Sequence, residues 1–213
     1  MREEIIGDCR LILGDCRDVL PTLGKFDAVI SDPPYGIDIA KTGKVGGNGK
    51  AAVKDYGASD WDKSTPPQEI IDSIREMSSN QALFGGNYFA LPPTPCWLVW
   101  DKMNTGNFAD CELVWTNWKM PVRRIQWLWN GMIRQGGEER FHPTQKPVGV
   151  MEWVIGLCPK SETILDPFMG SGTTGVASAN LGRKFTGIER EPKYFDIACK
   201  RIDDAYRQTR MFA

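Results

Sequence analysis

The sequence predicts an α/β fold with a mostly parallel sheet, and three observations lead to this fold class. Short apolar runs that end in an acid or a glycine alternate with helix-like segments along the chain, which is typical of parallel sheets covered by helices. The run GSGTTG stands between an apolar run and a helical segment, where nucleotide-binding turns occur. The length of 213 residues suits one sizeable domain, so we expect a single domain over 1–213.

The composition is that of an ordinary globular protein. The apolar fraction is 41%, the charged fraction 25% and the net charge -1, which excludes a disordered or fibrous chain and shows no overall basic excess for nucleic acid. The charged start MREEIIGDCR and the lack of a long apolar run predict a cytoplasmic protein that does not enter a membrane. Six cysteines without a C-x-x-C pair and a single histidine predict no metal site.

The first third of the chain is predicted to hold two strands, a loop and a helix. LILGDC (11–16) and FDAVIS (26–31) are short apolar runs that end in polar turns, so both are predicted strands. Residues 36–60 contain six glycines and four lysines without apolar periodicity, which predicts a mobile loop. PPQEIIDSIREM (66–77) begins with prolines and spaces its apolar residues on one face, which is typical of a helix.

Two buried strands and an unusual segment follow. ALFGG (82–86) and CWLVWD (96–101) are apolar runs that stop at polar or glycine turns, as buried strands do. Residues 103–141 mix tryptophans with arginines in VWTNWKMPVRRIQWLWNGMIR, and we predict a small appendage there. Its tryptophans fit a core or a dimer surface at least as well as they fit base stacking.

The last third is predicted to be helix, strand, helix, strand and helix. PVGVMEWVIGLC (147–158) is a helix that begins at a proline. A strand then precedes the glycine-rich run, a helix ends at Gly182, a second strand ends at Glu189, and residues 192–208 form an amphipathic helix.

The glycine-rich run indicates a nucleotide-like ligand. Gly170, Gly172 and Gly175 fit the G-x-G-x-x-G pattern, and Glu189 lies 19 residues after Gly170, close to the spacing of about 20 for an acid that binds ribose hydroxyls. A turn without a ligand is the alternative. A nicotinamide dinucleotide is another, although only 24 residues follow Glu189, so the second half of its site would have to come from upstream.

The sequence VISDPPYGID runs a predicted strand into Asp32-Pro33-Pro34-Tyr35, which we call the DPPY segment. The carboxyl end of a parallel strand faces the crevice where α/β sheets bind ligands. Proline restricts the backbone and has no N–H, so the segment presents hydrogen-bond acceptors beside an aromatic ring. This combination suits a planar ligand that bears an NH₂ group.

Three motifs in order, SDPPYG, HPTQKP and LDPFMGSGTT, resemble the beta class of S-adenosylmethionine-dependent DNA amino-methyltransferases. The resemblance extends from Gly14 to about Arg201. It implies a Rossmann-like methyltransferase fold with circularly permuted motif order and a short target-recognition insert at 103–141. It also implies S-adenosyl-L-methionine as cofactor and double-stranded DNA as partner. Members of this family often pair, so a homodimer is left open.

The resemblance assigns roles to the DPPY segment and to the cofactor site. Asp32 and the Pro33 carbonyl would accept hydrogen bonds from a target amine, Pro34 would fix the turn, and Tyr35 would stack on a base flipped from the duplex. The cofactor-binding candidates are Asp15, Cys16, Thr144, Lys146, Asp166, Phe168, Gly170, Ser171, Gly172, Thr173, Thr174 and Glu189. His142, beside a proline, either shares this role or merely packs.

The DNA-binding candidates come from the predicted loop and the recognition insert. They are Lys41, Lys44, Lys119, Arg123, Arg124 and Arg134. Phosphate contacts by basic side chains position a protein on DNA, although solvated surface charge explains each lysine equally well.

Several alternatives stay open on the sequence alone. The family's adenine enzymes mostly begin the DPPY-type motif with aspartate and its cytosine-amine enzymes with serine, so Asp32 favours adenine N6 and the preceding Ser31 keeps cytosine N4 as the alternative. Pro95-Cys96 resembles the nucleophile of cytosine C5 enzymes, but the run CWLVW favours a buried core thiol. An inactive cofactor-binding subunit and a dinucleotide oxidoreductase are the remaining alternatives.

Overall fold

The computed structural model describes most of the chain. The described residues are 2–37, 44–45, 54–55, 62–103, 109–129, 135–142 and 144–211. Most of the predicted loop over 36–60 therefore lies outside the described residues, as do Lys41, Arg134 and the side chain of Lys44. Their predicted roles stay predictions.

One large sheet organises the described residues. Its strands are β1 (Arg2–Ile6), β2 (Cys9–Leu13), β3 (Phe26–Ser31), β6 (Ser78–Phe84), β7 (Trp97–Asp101), β8 (Cys111–Thr116), β9 (Arg123–Gln126), β10 (Thr163–Asp166) and β11 (Lys184–Glu189), and a separate pair is β4 (Lys44–Val45) and β5 (Lys54–Asp55). The order in the sheet is β1-β2-β11-β10-β3-β6-β8-β7-β9. The five strands from β2 to β6 in this order pair in parallel, which confirms the predicted α/β class with a mostly parallel centre.

Helices cover both faces of the sheet. They are α1 (Cys16–Val19), α2 (Gln68–Glu76), α3 (Val148–Leu157), α4 (Thr173–Asn180) and α5 (Pro192–Met211), with 3₁₀ turns at Leu20–Thr22 and Gly86–Tyr88. Neighbouring residues of β3 alternate between two apolar clusters: Ala28 and Ile30 pack with residues of α3, α4 and α5, whereas Val29 packs with residues of α1 and α2. This alternation is the two-residue period of a strand buried on both sides.

The segment 103–141 differs from the predicted small appendage, because its described part adds β8 and β9 to the large sheet. β8 is antiparallel to both β6 and β7, and β9 is parallel to β7. Trp115, Trp118 and Trp129 are buried in the apolar clusters, which supports the core interpretation of these tryptophans. A recognition role for the segment stays a prediction.

The topology places the functional candidates at one edge of the sheet. Because β2, β11, β10, β3 and β6 are parallel neighbours, their carboxyl ends lie side by side, and the connections that follow them face a common crevice. Among the described residues, no helix is long and apolar enough to cross a membrane.

Candidate active site

A cavity of about 410 Å³ opens at this edge of the sheet. Most predicted catalytic and cofactor residues lie on its wall: Asp15, Cys16, Asp32, Pro33, Pro34, Tyr35, Thr144, Lys146, Asp166, Phe168, Gly170, Ser171, Thr173, Thr174 and Glu189. Gly172 is not on the wall. It has φ +81°, and a Cβ there would lie 2.8 Å from the Cβ of Ala198 in α5, so it lets the glycine loop (residues 170–175) pack closely against that helix.

Asp32 follows β3 directly and has partners on both carboxylate oxygens. The Tyr35 hydroxyl donates to Oδ1 at 2.6 Å, and the Lys146 ammonium donates to Oδ2 at 2.7 Å. Burial raises the pKa of Asp32, whereas the Lys146 charge opposes that rise. Burial also raises the pKa of Tyr35 well above its usual range, so its hydroxyl remains a donor at neutral pH.

Asp62 fixes the turn after the prolines and was missed by the sequence analysis. Its Oδ1 accepts the backbone N–H groups of Tyr35 and Gly36, each at 3.0 Å. The side chain is buried and lies on the cavity wall. No motif surrounds Asp62 in the sequence, so only the folded chain brings it to the DPPY segment.

The position of the Tyr35 ring depends on Gly85 and Tyr88. The rings of Tyr35 and Tyr88 are stacked with centroids 4.9 Å apart and planes 9° from parallel, and Tyr88 is exposed. Gly85 has φ +64°, and a Cβ there would lie 2.2 Å from Cε1 of Tyr35. Both the backbone conformation and the close approach of the ring therefore require glycine at this position.

We expect Gly85→Ala to destabilise the protein and to displace the Tyr35 ring. The added methyl group meets a part-buried ring and a left-handed backbone, so the loss should be roughly 2–4 kcal/mol in the free energy of unfolding. Thermal unfolding measures this loss. Gly24→Ala is the matched control, because a Cβ at Gly24 meets nothing within 4 Å; equal melting temperatures for the two variants would contradict the assigned contact.

Asp166 ties the glycine loop to the sheet. Its Oδ1 accepts hydrogen bonds from the Ser31 hydroxyl at 2.6 Å and from the Phe168 N–H at 3.1 Å, and its Oδ2 accepts one from the Thr174 hydroxyl at 2.6 Å. Burial raises the pKa of Asp166 to about 6, although these donors oppose the rise. The carboxylate thus joins β10, β3 and the first turn of α4.

Arg201 of α5 supports the same loop from behind and was not predicted. Its Nη1 donates to the Ser171 carbonyl at 2.7 Å, to the Ser171 hydroxyl at 3.2 Å and to the Thr173 hydroxyl at 3.1 Å. Burial lowers the pKa of Arg201 to about 10. The guanidinium therefore stays charged and orients two side chains of the cavity wall.

Glu189 and Asp15 lie at the ends of the adjacent strands β11 and β2. Glu189 Oε1 accepts the Glu191 N–H at 2.7 Å, and burial raises the pKa of Glu189 to about 7. Asp15 caps α1 through the Arg17 N–H, and the Arg17 side chain lowers its pKa. Burial raises the pKa of Cys16 to about 11, so this thiol is neutral and unreactive at neutral pH.

Lys146, a predicted cofactor-binding residue, lies on the cavity wall beside Asp32. Its ammonium pairs with Asp32 at 2.7 Å and with Glu112 at 3.1 Å, and Glu112 pairs in turn with Lys102 at 2.5 Å. Lys146 therefore belongs with the DPPY segment. The pairing arises because β8 places Glu112 beside the residues that precede α3, a contact that the motif HPTQKP does not reveal.

His142 is buried and uncharged at neutral pH. Its Nδ1 accepts the Thr144 N–H at 3.3 Å and lies 3.0 Å from the Thr144 hydroxyl. Its ring meets the Tyr194 ring edge-on, with centroids 4.3 Å apart. Burial and the neighbouring Lys146 charge lower the pKa of His142 to about 3. His142 lies on the cavity wall, where these contacts orient Thr144.

Parts of this chain are similar in sequence to known proteins. The family model described as DNA methylase, of the N6/N4 type, matches residues 97–200. The type II methyltransferase M2.LlaDCHI of Lactococcus lactis subsp. cremoris is 44% identical over 84 residues, which are 38% of this chain and 31% of that protein. M2.DpnII of Streptococcus pneumoniae is 43% identical over 84 residues, with the same shares of both chains. Just under half of the chain, residues 97–200, therefore matches the N6/N4 DNA methylase family model.

Solved structures share the fold of this chain along nearly its whole length. The M1.HpyAVI–SAM complex aligns with a TM-score of 0.57 and 24% identity, covering 91% of this chain and 99% of the other. The PvuII DNA methyltransferase, described as cytosine-N4-specific, aligns with a TM-score of 0.60 and 15% identity, covering 95% and 93%. At these identities the likeness concerns the fold. The matched stretch spans 31% of the curated relatives, about a third of their length.

The methylase fold does not bring the described DNA-binding candidates to the cavity. Lys119, Arg123 and Arg124 are exposed, and the two arginines lie on β9, at the end of the sheet and four strands from β3. At strand spacings of 4.8 Å this separation is ~19 Å. Arg124 lies 3.9 Å from Asp101. Their contact with DNA stays a prediction.

Cys96 is a core thiol, as the sequence favoured. It is fully buried in the larger apolar cluster, and its Sγ donates to the Pro121 carbonyl at 3.6 Å. It does not line the cavity. The described ranges, with their gaps, hold no group of three or more histidine, cysteine or acidic side chains that could bind a metal ion.

Proposed function

We propose that this chain transfers a methyl group from S-adenosyl-L-methionine to the exocyclic N6 amine of an adenine in double-stranded DNA. One observation supports this most strongly. The carboxylate of Asp32, held by Tyr35 and Lys146, and the glycine loop after β10 open onto the same cavity of about 410 Å³. A site that combines an oriented acceptor with a nucleotide-type loop suits transfer from an adenosine cofactor to an amine.

The cavity fits the cofactor in size and in chemistry. Its volume of about 410 Å³ lies within the usual range of roughly 300–1,000 Å³ for small-molecule sites. The glycine loop and Asp166 would hold the methionine part, Glu189 the ribose hydroxyls, and Asp15 with Cys16 the adenine. When bound, S-adenosylmethionine supplies an electrophilic methyl group on a sulfonium.

The residues of the DPPY segment would overcome the weak nucleophilicity of a base amine, whose lone pair is delocalised into the ring. Asp32 and the Pro33 carbonyl accept the two amine N–H groups, which turns the lone pair toward the methyl group. Each carboxylate oxygen accepts two hydrogen bonds, so Asp32 keeps capacity for the amine beside its partners Tyr35 and Lys146.

The reaction is a direct transfer. The amine lone pair forms the N–C bond while the C–S bond breaks, and the electrons of that bond stay on sulfur as S-adenosylhomocysteine. The positive charge that develops on nitrogen is stabilised by the Asp32 carboxylate. The extra amine proton then leaves to Asp32 or to water, and the enzyme forms no covalent intermediate.

Adenine is proposed because Asp32 begins the motif, and cytosine N4 is the alternative. Incubation of DNA with methyl-labelled cofactor and nucleoside analysis separates the two. We expect label in N6-methyladenine. Label in cytosine would contradict the adenine assignment, and unlabelled DNA would contradict the proposed function. A homodimer stays a prediction.

A comparison of ligands tests the cofactor separately. We expect S-adenosylmethionine to raise the melting temperature by several degrees at millimolar concentration, because a ligand that binds only the folded chain stabilises it. A nicotinamide dinucleotide should leave the melting temperature unchanged. The reverse order would favour an oxidoreductase.

Cofactor affinity is expected to fall when the pH drops below about 7. Burial raises the pKa of Glu189 to about 7, and the ionised carboxylate is the better acceptor for ribose hydroxyls. Between pH 8 and pH 6.5 the affinity should decrease by roughly threefold to fivefold. Calorimetric titration of S-adenosylmethionine at several pH values measures this, with Glu189→Gln as the variant that should lose the pH dependence.

The same group acts in the opposite direction on the stability of the ligand-free chain. Its folded-state pKa of about 7 is raised from 4.5, so its contribution to stability is fully present below pH 4.5 and is lost as the pH rises through 7.

For cofactor binding, a wild-type affinity for S-adenosylmethionine that is constant from pH 8 to pH 6.5 would contradict the role of Glu189.

A further inference from the structure

Four charged side chains form a continuous and largely buried row beside the cavity. The buried ion chain consists of Asp32, Lys146, Glu112 and Lys102, joined by contacts of 2.7, 3.1 and 2.5 Å. Their side chains are 19%, 5%, 19% and 18% exposed in the same order. The charges alternate in sign and sum to zero.

Two members of this ion chain, Glu112 and Lys102, lie away from the cavity wall. Asp32 and Lys146 line the cavity, whereas Glu112 and Lys102 do not. Glu112 lies on β8, and Lys102 directly follows β7, the neighbouring strand. Glu112 therefore acts on the reaction from behind the cavity wall, through its ion pair with Lys146 and through its charge near Asp32.

Stability does not explain the buried ion chain. Desolvation of buried ions costs free energy that their mutual attraction often fails to recover, and apolar side chains of similar volume are frequently at least as stable. The surroundings are apolar on one side, since the Lys146 ammonium lies 5.2 Å from the centroid of the Tyr35 ring and 5.6 Å from that of Phe84. A chain of charges that ends at Asp32 suggests a role at that carboxylate.

We propose that Glu112 and Lys102 are positioning residues for methyl transfer, which hold Lys146 between two carboxylates and thereby set how strongly it binds Asp32. This proposal rests on the proposed function. A Lys146 ammonium that pairs with both Glu112 and Asp32 binds Asp32 less tightly than an ammonium that pairs with Asp32 alone. Asp32 thus stays ionised and oriented, yet remains able to accept an amine hydrogen bond.

Removing the charge of Glu112 and removing that of Lys102 should shift the protonation of Asp32 in opposite directions. Without the Glu112 charge, Lys146 pairs with Asp32 alone, so Asp32 stays ionised to a lower pH. Without the Lys102 charge, Glu112 has Lys146 as its remaining cation and draws it from Asp32, so Asp32 takes up a proton at a higher pH. The other groups that act on these sites, namely Tyr35 and Asp166 near Asp32 and His142 near Lys146, are the same in every variant.

The test compares Glu112→Gln with Lys102→Met in the full chain. In Glu112→Gln, the acid limb of the kcat–pH profile for methylation of DNA should shift to lower pH by roughly half to one pH unit. In Lys102→Met it should shift to higher pH by a similar amount. In both variants kcat should fall about tenfold, while the Kd for S-adenosylmethionine stays within about twofold because neither residue lines the cavity.

Asp27→Asn is the matched control. Asp27 lies on β3 at the end opposite to Asp32, its side chain is 17% exposed, and it pairs with Lys160 at 2.9 Å. This substitution should leave the acid limb in place. The double variant Glu112→Gln with Lys102→Met loses one charge of each sign, so it keeps the test possible if one of the single variants fails to fold. The acid limb of its kcat–pH profile should match that of Glu112→Gln.

A titration that needs no DNA separates this proposal from the proposed function. Carboxyl ¹³C NMR, with Asp32 assigned through Asp32→Asn, follows the ionisation of Asp32 directly. Opposite displacements in the two single variants support the proposal even if the wild type fails to methylate DNA, in which case only the proposed function is refuted. Displacements in the same direction, or none, overturn the proposal.

Discussion

Replacing Asp32 with alanine is expected to abolish methyl transfer to DNA while leaving cofactor affinity within about twofold of wild type. The carboxylate is the group that accepts the amine and stabilises the charge developing on it, and loss of one such group typically costs at least about 10²–10³ in kcat. The cofactor candidates Asp166 and Glu189 end two other strands, β10 and β11, and their hydrogen bonds do not involve Asp32.

Asp32→Asn refines this prediction. Asparagine keeps the shape and one acceptor oxygen but loses the charge, so the Tyr35 hydroxyl keeps an acceptor while Lys146 loses its closer ionic partner. We expect activity that is severely reduced yet measurable. Single-turnover methylation and calorimetric cofactor titration check both variants, and Asp27→Asn on β3, the strand that precedes Asp32, is the control. Substantial activity in Asp32→Ala would contradict the assigned role.

Replacing Asp166 with alanine is expected to lower both stability and cofactor affinity. The Ser31 hydroxyl, the Thr174 hydroxyl and the Phe168 N–H all donate to this carboxylate, and alanine leaves these donors without their acceptor in a buried place. The free energy of unfolding should fall by roughly 2–4 kcal/mol, which corresponds to about 5–10 °C in melting temperature for a chain of this size.

Cofactor affinity should fall at least about tenfold in the same variant, because the glycine loop loses its link to β10 and β3. Asp166→Asn should lose less stability, since it retains an acceptor and removes a carboxylate whose ionised form burial disfavours. Glu162→Ala, at an exposed position just before β10, is the control. Unchanged cofactor affinity in Asp166→Ala would refute the assignment.

The central part of the fold was predictable because its strands have a clear sequence pattern. β3, β10 and β11 are short apolar runs that end in a polar residue, Ser31, Asp166 or Glu189. Parallel strands bring their carboxyl ends to one edge, so three separate motifs could be expected to meet. The cavity wall confirms that they do.

Edge strands were missed because they lack that pattern. β1 reads REEII and β9 reads RRIQ, and both are largely exposed. Charged residues on an edge protect it from pairing with other chains, and the same residues hide the strand from an analysis of hydrophobicity. β8 was missed as well, because its tryptophan and the basic residues that follow it suggested a surface segment.

Three polar residues of the site were missed for a different reason. Each of them lies far along the chain from the groups that it binds. Asp62 binds the N–H groups of Tyr35 and Gly36. Glu112 binds the Lys146 ammonium, and Arg201 binds oxygens of Ser171 and Thr173. Each stands in an ordinary-looking loop, strand or helix. Such partners become visible only when the fold brings distant segments together.

The most direct test of the proposed function is a map of methylated positions in DNA from cells that express the chain. We expect N6-methyladenine in a recurring sequence context with the wild type, and unmodified DNA with Asp32→Ala expressed at the same level. DNA without methylated adenine in the wild type, or the same modification with Asp32→Ala, would contradict it.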